Sequence, residues 1–277
     1  MKPMWLLILL GLSCSALAQT PEEKGLEIAV EADRRDTGFH DTTAALQMLL
    51  RNRQGDESTR DIRVRTLEQL DDGDKSLTIF DEPADVKGTA FLSFTHKSGP
   101  DDQWLYLPAL KRVKRISSRN RSGPFMGSEF AYEDLSSQEV EKYRYKYLRD
   151  ENYEGKDCFV LERYPVDENS GYTRQVVWID KQEYRAHKVV FYDRKNALLK
   201  TLVYRKYNQY PAKYSPPQSM HRDNHPATRS TLLTCIHYKC RNTSTYSDLP
   251  RSTLDLVRDR ACQPAMLCRP QLPPPST

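Results

Sequence analysis

With 277 residues, 38% of them hydrophobic and 29% charged, the chain is long enough for one large or two small domains. Its 42 basic residues exceed its 38 acidic ones by only four, and the two signs are interleaved rather than gathered into blocks. That pattern argues against a dedicated nucleic-acid binder, whose basic residues gather into one patch. The 16 tyrosines and 8 phenylalanines supply bulk without supplying a thick core, a mixture that suits sheets with one wet face.

Residues 1–18 read as a secretory signal: Lys2, a short apolar run, then Ala16, Leu17 and Ala18 ahead of Gln19. Cleavage is expected after Ala18, giving an exported protein, which the family resemblance given below places in the periplasm. The run is too short to span a bilayer. Lipid attachment at Cys14 is disfavoured, because Gly11 stands where a lipobox carries leucine. Residues 21–36 follow with Glu22 and Glu23 in the first turn and Leu26, Ile28, Ala29 and Ala32 at helical spacing, which predicts one short helix ended by Gly38.

Period-two alternation then takes over. Residues 61–68, around Leu77 and Ile79, 89–94 and 104–107 each predict a strand, separated by Gly, Asp and Pro. Residues 43–52 alternate too, but TTAALQMLL also has good helix formers, and it is the family resemblance given below that implies a strand there. Pro108 ends the last of these, and the basic run Lys111, Arg112, Lys114 and Arg115 follows it. A Ser/Arg/Gly/Pro loop comes next, carrying Phe125, Met126, Phe130 and Tyr132. Large apolar groups on an irregular segment must lie against something, and an open sheet face is the candidate. Residues 136–140 predict a helical turn; 141–149, 156–164, 173–180, 184–193 and 198–207 predict strands, and 220–224 and 231–238 two more. The proline-rich residues 261–277 are expected to be disordered. The resulting domains are 1–18, 19–260 and 261–277.

The chain lacks a GxSxG elbow, a Walker loop, a GxGxxG turn and an HExxH pair. On a strand, His221 and His225 would stand about 13 Å apart, too far to share one zinc. Asp81, Asp180 and Asp193 read as turn residues. No cofactor, metal or catalytic residue is expected. Cys158, Cys235, Cys240, Cys262 and Cys268 remain after signal removal; Cys235–Cys240 or Cys262–Cys268 pairing is conceivable, and an odd count leaves one thiol free.

A mainly β protein with so little helix can cover its apolar sheet face only in part, and a partly covered concave face is a ligand cavity. The stretches WLYLPALKRVKRI (104–116), GPFMGSEFAYEDL (123–135) and VVWIDKQEYRAHKVVFYD (176–193) resemble the outer-membrane lipoprotein-sorting proteins, periplasmic relatives of the lipoprotein carrier LolA often encoded beside RND-type exporters. The resemblance implies a curved antiparallel sheet, an incomplete β-barrel with a small helical and loop lid, that receives lipid or lipoprotein acyl chains. The expected cavity residues are Leu46, Met48, Leu50, Ile62, Val64, Trp104 and Tyr106, with Leu105 and Leu107 as the alternative face of their strand. Phe125, Met126 and Phe130 are the expected lid. A non-catalytic accessory of an RND-type inner-membrane exporter is the alternative function.

Overall fold

A computed structural model describes residues 19–207, 217–224 and 229–241. The expected signal segment, His225 and the tail lie outside these residues, as do Cys14, Cys262 and Cys268.

The one α-helix among the described residues, α1 (Pro21–Asp36), begins with a complete capping box: Glu23 N donates to Thr20 Oγ1 at 3.2 Å, and Thr20 N donates to the Glu23 carboxylate at 2.8 Å. Pro21 opens the first turn, and Arg34 and Arg35 close the last, where cations favour the helix dipole.

The N-terminal half of the sheet comprises β1 (Asp41–Arg51), β2 (Glu57–Leu67), β3 (Lys75–Glu82), β4 (Ala90–Phe94), β5 (Asp102–Leu107) and β6 (Arg112–Ile116). The C-terminal half comprises β7 (Tyr143–Tyr153), β8 (Lys156–Pro165), β9 (Tyr172–Asp180), β10 (Ala186–Asp193), β11 (Leu198–Tyr207), β12 (Pro217–Asn224) and β13 (Ser230–Arg241). Neighbouring strands are antiparallel, and β1 pairs with β13 to join the halves into one curved sheet of thirteen strands. Two-residue turn chemistry is plain at Glu154 and Gly155, both at positive φ, as a tight hairpin between β7 and β8 requires.

The order β6-β5-β4-β3-β2-β1-β13-β12-β11-β10-β9-β8-β7 leaves β6 and β7 at opposite edges, so the sheet does not close. Yet β6 and β7 follow one another in sequence. The chain between them, residues 117–142, therefore has to cross the sheet, and it crosses on the inner face. Its apolar residues follow from that route. In place of one turn over 136–140, this crossing holds 3-10 turns at Ser118–Asn120, Tyr132–Leu135 and Val140–Lys142.

Ladder register assigns every strand's faces. Ala44, Leu46, Met48 and Leu50 of β1 oppose Val64, Ile62, Arg60 and Ser58 of β2, and the row continues through Phe80, Phe91 and Leu105. In the other half the inner row includes Leu161, Val177, Val189 and Leu202. These residues, apart from Ala44, Val64, Arg60 and Ser58, form one inner cluster with Phe125 and Phe130. The outer face carries two smaller clusters, one around Cys158, Val160, Val176 and Trp178, the other around Leu77, Ile79 and Ala90. Tyr106 belongs to the second of these, and Trp104 sits edge-on to Phe94 at 5.3 Å. The expectation that Trp104 and Tyr106 line the concave face is thereby corrected; Leu105 and Leu107 do. Both faces of β3–β5 are apolar, so alternation alone does not tell inside from outside.

Asp81 is no turn residue either: it lies in β3 and binds Arg63 of β2 at 2.6 Å. Asp180 and Asp193 do serve turns, accepting from Glu183 N at 2.7 Å and Lys195 N at 2.8 Å. Cys158 and Cys235 are free thiols, which removes the Cys235–Cys240 bridge.

Candidate functional site

Two covers lie on the inner face, and they are built differently. The crossing segment is a fixed plug. Phe125 is 1% exposed and packs on Phe80, Phe91 and Tyr132, with ring centroids 5.8, 5.2 and 5.5 Å away. Beneath it lie Met48 and Ile62, with Leu46 and Leu50 packed alongside. Val64 shares their face through its pairing with Ala44. Met126 turns the loop at φ 50, and its carbonyl accepts from Arg60.

Polar bonds fasten this plug along its length. Gln103, fully buried, donates to the Tyr132 carbonyl at 3.0 Å, and Glu129 N donates to Thr231 Oγ1 at 3.0 Å. Glu133 accepts from Ser170 Oγ at 2.8 Å and Gly171 N at 2.9 Å; burial holds its carboxyl above the usual carboxylate range. Lys200 reaches Asp134 at 2.9 Å, and Asp101 takes Lys142 and Ser136. Phe125, Met126 and Phe130, expected as a lid, lie on this bonded crossing segment, with Phe125 and Phe130 buried in the inner cluster and Met126 packed against it.

The second cover, α1, is attached lightly. Only Gly25, Ile28 and Ala29 of it are buried. Gly25 lets the helix touch the sheet: a Cβ there would stand 2.8 Å from Tyr147 N of β7. Further along, Lys24 Nζ lies 3.6 Å from the centre of the Tyr147 ring, and the Arg35 guanidinium 4.2 Å from that of Tyr184. Contacts of this kind at an exposed site contribute about 0.5–1 kcal/mol each.

Between α1 and the sheet lies a cavity of about 570 Å³. Its floor is Leu161, Val177 and Ile179, and its roof includes Ala29 and Ala32, whose small side chains leave the space. Tyr184, Ala186 and Tyr207 form a wall, and Arg34, Arg163, Glu183 and Arg185 are among its charged lining. An apolar interior with charged groups about it accepts one apolar chain and leaves its polar end at the rim; the volume falls within the ordinary range of ligand pockets. A second cavity of about 600 Å³ shares Gln138 and Arg163 with the first and is lined largely by charged and polar residues, among them Asp101, Arg121, Glu133 and Lys142. Arg121 lies there between Asp101 at 3.5 Å and Asp167 at 3.4 Å.

None of the expected cavity residues lines the helix-covered space. What sequence reading missed is the face of β8 and β9. In β9 the run Val176, Val177, Trp178 and Ile179 is apolar on both sides, so the inward pair Val177 and Ile179 carries no distinguishing signal. The small helix residues Gly25, Ala29 and Ala32, which the sequence reading took only as part of a helix, are the signal that would have marked the cavity.

Near the end of the plug, Asp74 accepts from Gln69 N at 3.1 Å, and its own N–H donates to Ser137 Oγ at 3.2 Å. Burial, helped by Glu139 and Glu68, pushes the Asp74 carboxyl up to about 7. The native state therefore holds this proton more tightly than the unfolded chain, where the value is about 3.9. Its stabilising contribution is complete below that lower value and is lost as pH rises through about 7. Asp74→Asn keeps the acceptor for Gln69, so the Tm difference between variant and wild type is expected to move in the variant's favour from pH 5 to pH 8. A constant difference in thermal melts would refute this.

Comparison with known proteins gives consistent results. A family model described as "-like: Uncharacterized protein" matches residues 72–248. A crystal structure described as an outer membrane lipoprotein-sorting protein domain from Vibrio parahaemolyticus is 57% identical, with a TM-score of 0.81, covering 84% of this chain and 99% of that one. A DUF1329 family protein from Desulfovibrio piger ATCC 29098 is 28% identical, with a TM-score of 0.78 and coverage of 85% and 99%. The LolA superfamily protein NE2245 from Nitrosomonas europaea shares the fold at 20% identity, with a TM-score of 0.64 and coverage of 79% and 94%. No curated protein matches the chain.

Proposed function

We propose, from the premise that this chain belongs to the outer membrane lipoprotein-sorting protein family, that it is a periplasmic carrier that holds a lipid or lipoprotein acyl chain between α1 and the sheet. The observation that carries this reading is the cavity of about 570 Å³ over Leu161, Val177 and Ile179. Each acyl CH₂ withdrawn from water is worth about 0.8 kcal/mol, so even a partly buried chain gains several kcal/mol. Release requires a cover that opens at comparable cost, and the lightly attached helix meets that requirement better than the bonded plug. The carrier role uses no bond-making step, and no residue of the cavity is assigned a catalytic part. Nothing in the described residues points specifically to an exporter as partner.

Titration with a fluorescent long-chain fatty acid tests the proposal. Ala32 is half-buried on the helix face above the cavity, so Ala32→Phe fills the space without disturbing the core. The wild type is expected to bind, and the variant to bind at least tenfold more weakly with an unchanged melting temperature. Equal affinity in both would place the chain elsewhere.

A further inference from the structure

We infer that the β5–β6 hairpin is a contact site for an anionic lipid bilayer. Between Asp102 and Glu129 the sequence has six basic residues and no acidic one, four of them within Lys111–Arg115. Two of the six are taken: Arg115 pairs with Asp102, and Arg121 is buried between Asp101 and Asp167. Lys111, Arg112, Lys114 and Arg119 are exposed, and among the described residues they have no acidic partner. The adjoining β3–β4 turn, beside Pro108 at Gly88, adds only Asp85 and a Lys87–Glu82 pair, so it does not neutralise the hairpin's basic residues.

The tip adds the second element. A 3-10 turn at Pro108–Leu110, followed by Lys111 at φ 44, holds Leu110 out with 68% of its surface exposed. Because β6 is the last strand of the sheet, both of its side-chain rows flank a free edge. Lys114 and Arg112 oppose Leu105 and Leu107, and Val113 opposes Tyr106, so cations stand on the inner row and at the tip. A plane meeting the edge end-on receives all of them, with long basic side chains lying along the headgroups and Leu110 entering between them. Protection of an edge strand against pairing accounts for the lysines and arginines alone, but it gives no reason for a projecting leucine. The juxtaposition matches an anionic membrane surface, which offers negative headgroups over an apolar layer. This inference stands independently of the acyl cavity.

Co-sedimentation of the full chain with phosphatidylglycerol/phosphatidylcholine vesicles tests it. Binding is expected to require phosphatidylglycerol and to weaken with salt. Each basic residue lost lowers partitioning about fivefold, so Lys111→Glu/Arg112→Glu/Lys114→Glu should lower it at least about a hundredfold. Leu110→Ser should lower it about tenfold. A control with the same charge change at exposed positions elsewhere, Arg53→Glu/Lys156→Glu/Lys195→Glu, should keep most of the binding. Binding that is absent, that is equal on pure phosphatidylcholine, or that falls as far in the control as in the hairpin variant would overturn the inference. All these positions are on the surface, and unchanged melting temperatures separate lost binding from lost folding.

Discussion

Replacing Lys200 by methionine is expected to cost about 3–5 kcal/mol of folding stability, because it strands a carboxylate inside the protein. The side chains of Lys200 and Asp134 are 6% and 4% exposed. Lys200 Nζ lies 2.9 Å from Asp134 and donates to the Glu129 carbonyl at 3.1 Å, beside the rings of Tyr172 and Phe191. Asp134 also accepts from Tyr172 Oη at 2.8 Å and Ala131 N at 2.6 Å. This one pair ties the crossing segment to β11, so its loss is felt by the plug and the sheet together. The double variant Lys200→Met/Asp134→Leu should recover part of the loss, since an apolar pair of similar volume often replaces a buried ion pair at little cost. It should not recover all, because the Tyr172 and Ala131 donors lose their acceptor at about 1 kcal/mol each. Urea unfolding of the three proteins measures the cycle. A single-variant loss below about 1 kcal/mol would mean that the pair does not hold the plug.

Phe125→Ala is expected to lose a similar amount, about 3–5 kcal/mol, by removing a fully buried ring from the centre of the plug. Its neighbours Phe80 and Phe91 are themselves completely buried and have little room to collapse into the space. The informative feature is the contrast with ligand binding. If the plug is structural, Phe125→Ala leaves fatty-acid affinity within about twofold of wild type while lowering stability. Ala32→Phe does the reverse. If instead Phe125 vacates its place for the ligand, its truncation tightens binding, and the assignment of roles to the two covers is wrong.

The helix and the succession of strands were legible in the sequence because each rests on local chemistry. Thr20, Pro21 and Glu23 define the start of α1, and period-two patterns define strands such as β2 and β11 whose faces differ in polarity. The resemblance supplied the curvature and the open barrel. What escaped was set by partners far away in sequence. Lys200 reads as a solvated strand residue until Asp134 is brought beside it. Tyr106 and Leu105 are both apolar neighbours on one strand, and the outer-face cluster around Leu77 and Ile79 explains why Tyr106 can point away from the inside. The expected cavity residues Met48 and Ile62 do face inward, but the plug already covers them. The open space falls instead under the helix, where Ala29 and Ala32 are too small to fill it.

The central claim is that an acyl chain lies beneath α1. Photo-crosslinking with a diazirine-bearing fatty acid, followed by peptide mapping, tests it directly. The account predicts labels on the helix and on β8 to β10, around Ala32, Leu161, Val177 and Ile179, and their loss in Ala32→Phe. Labels confined to β1, β2 and the crossing segment, around Met48, Ile62 and Phe125, would contradict it.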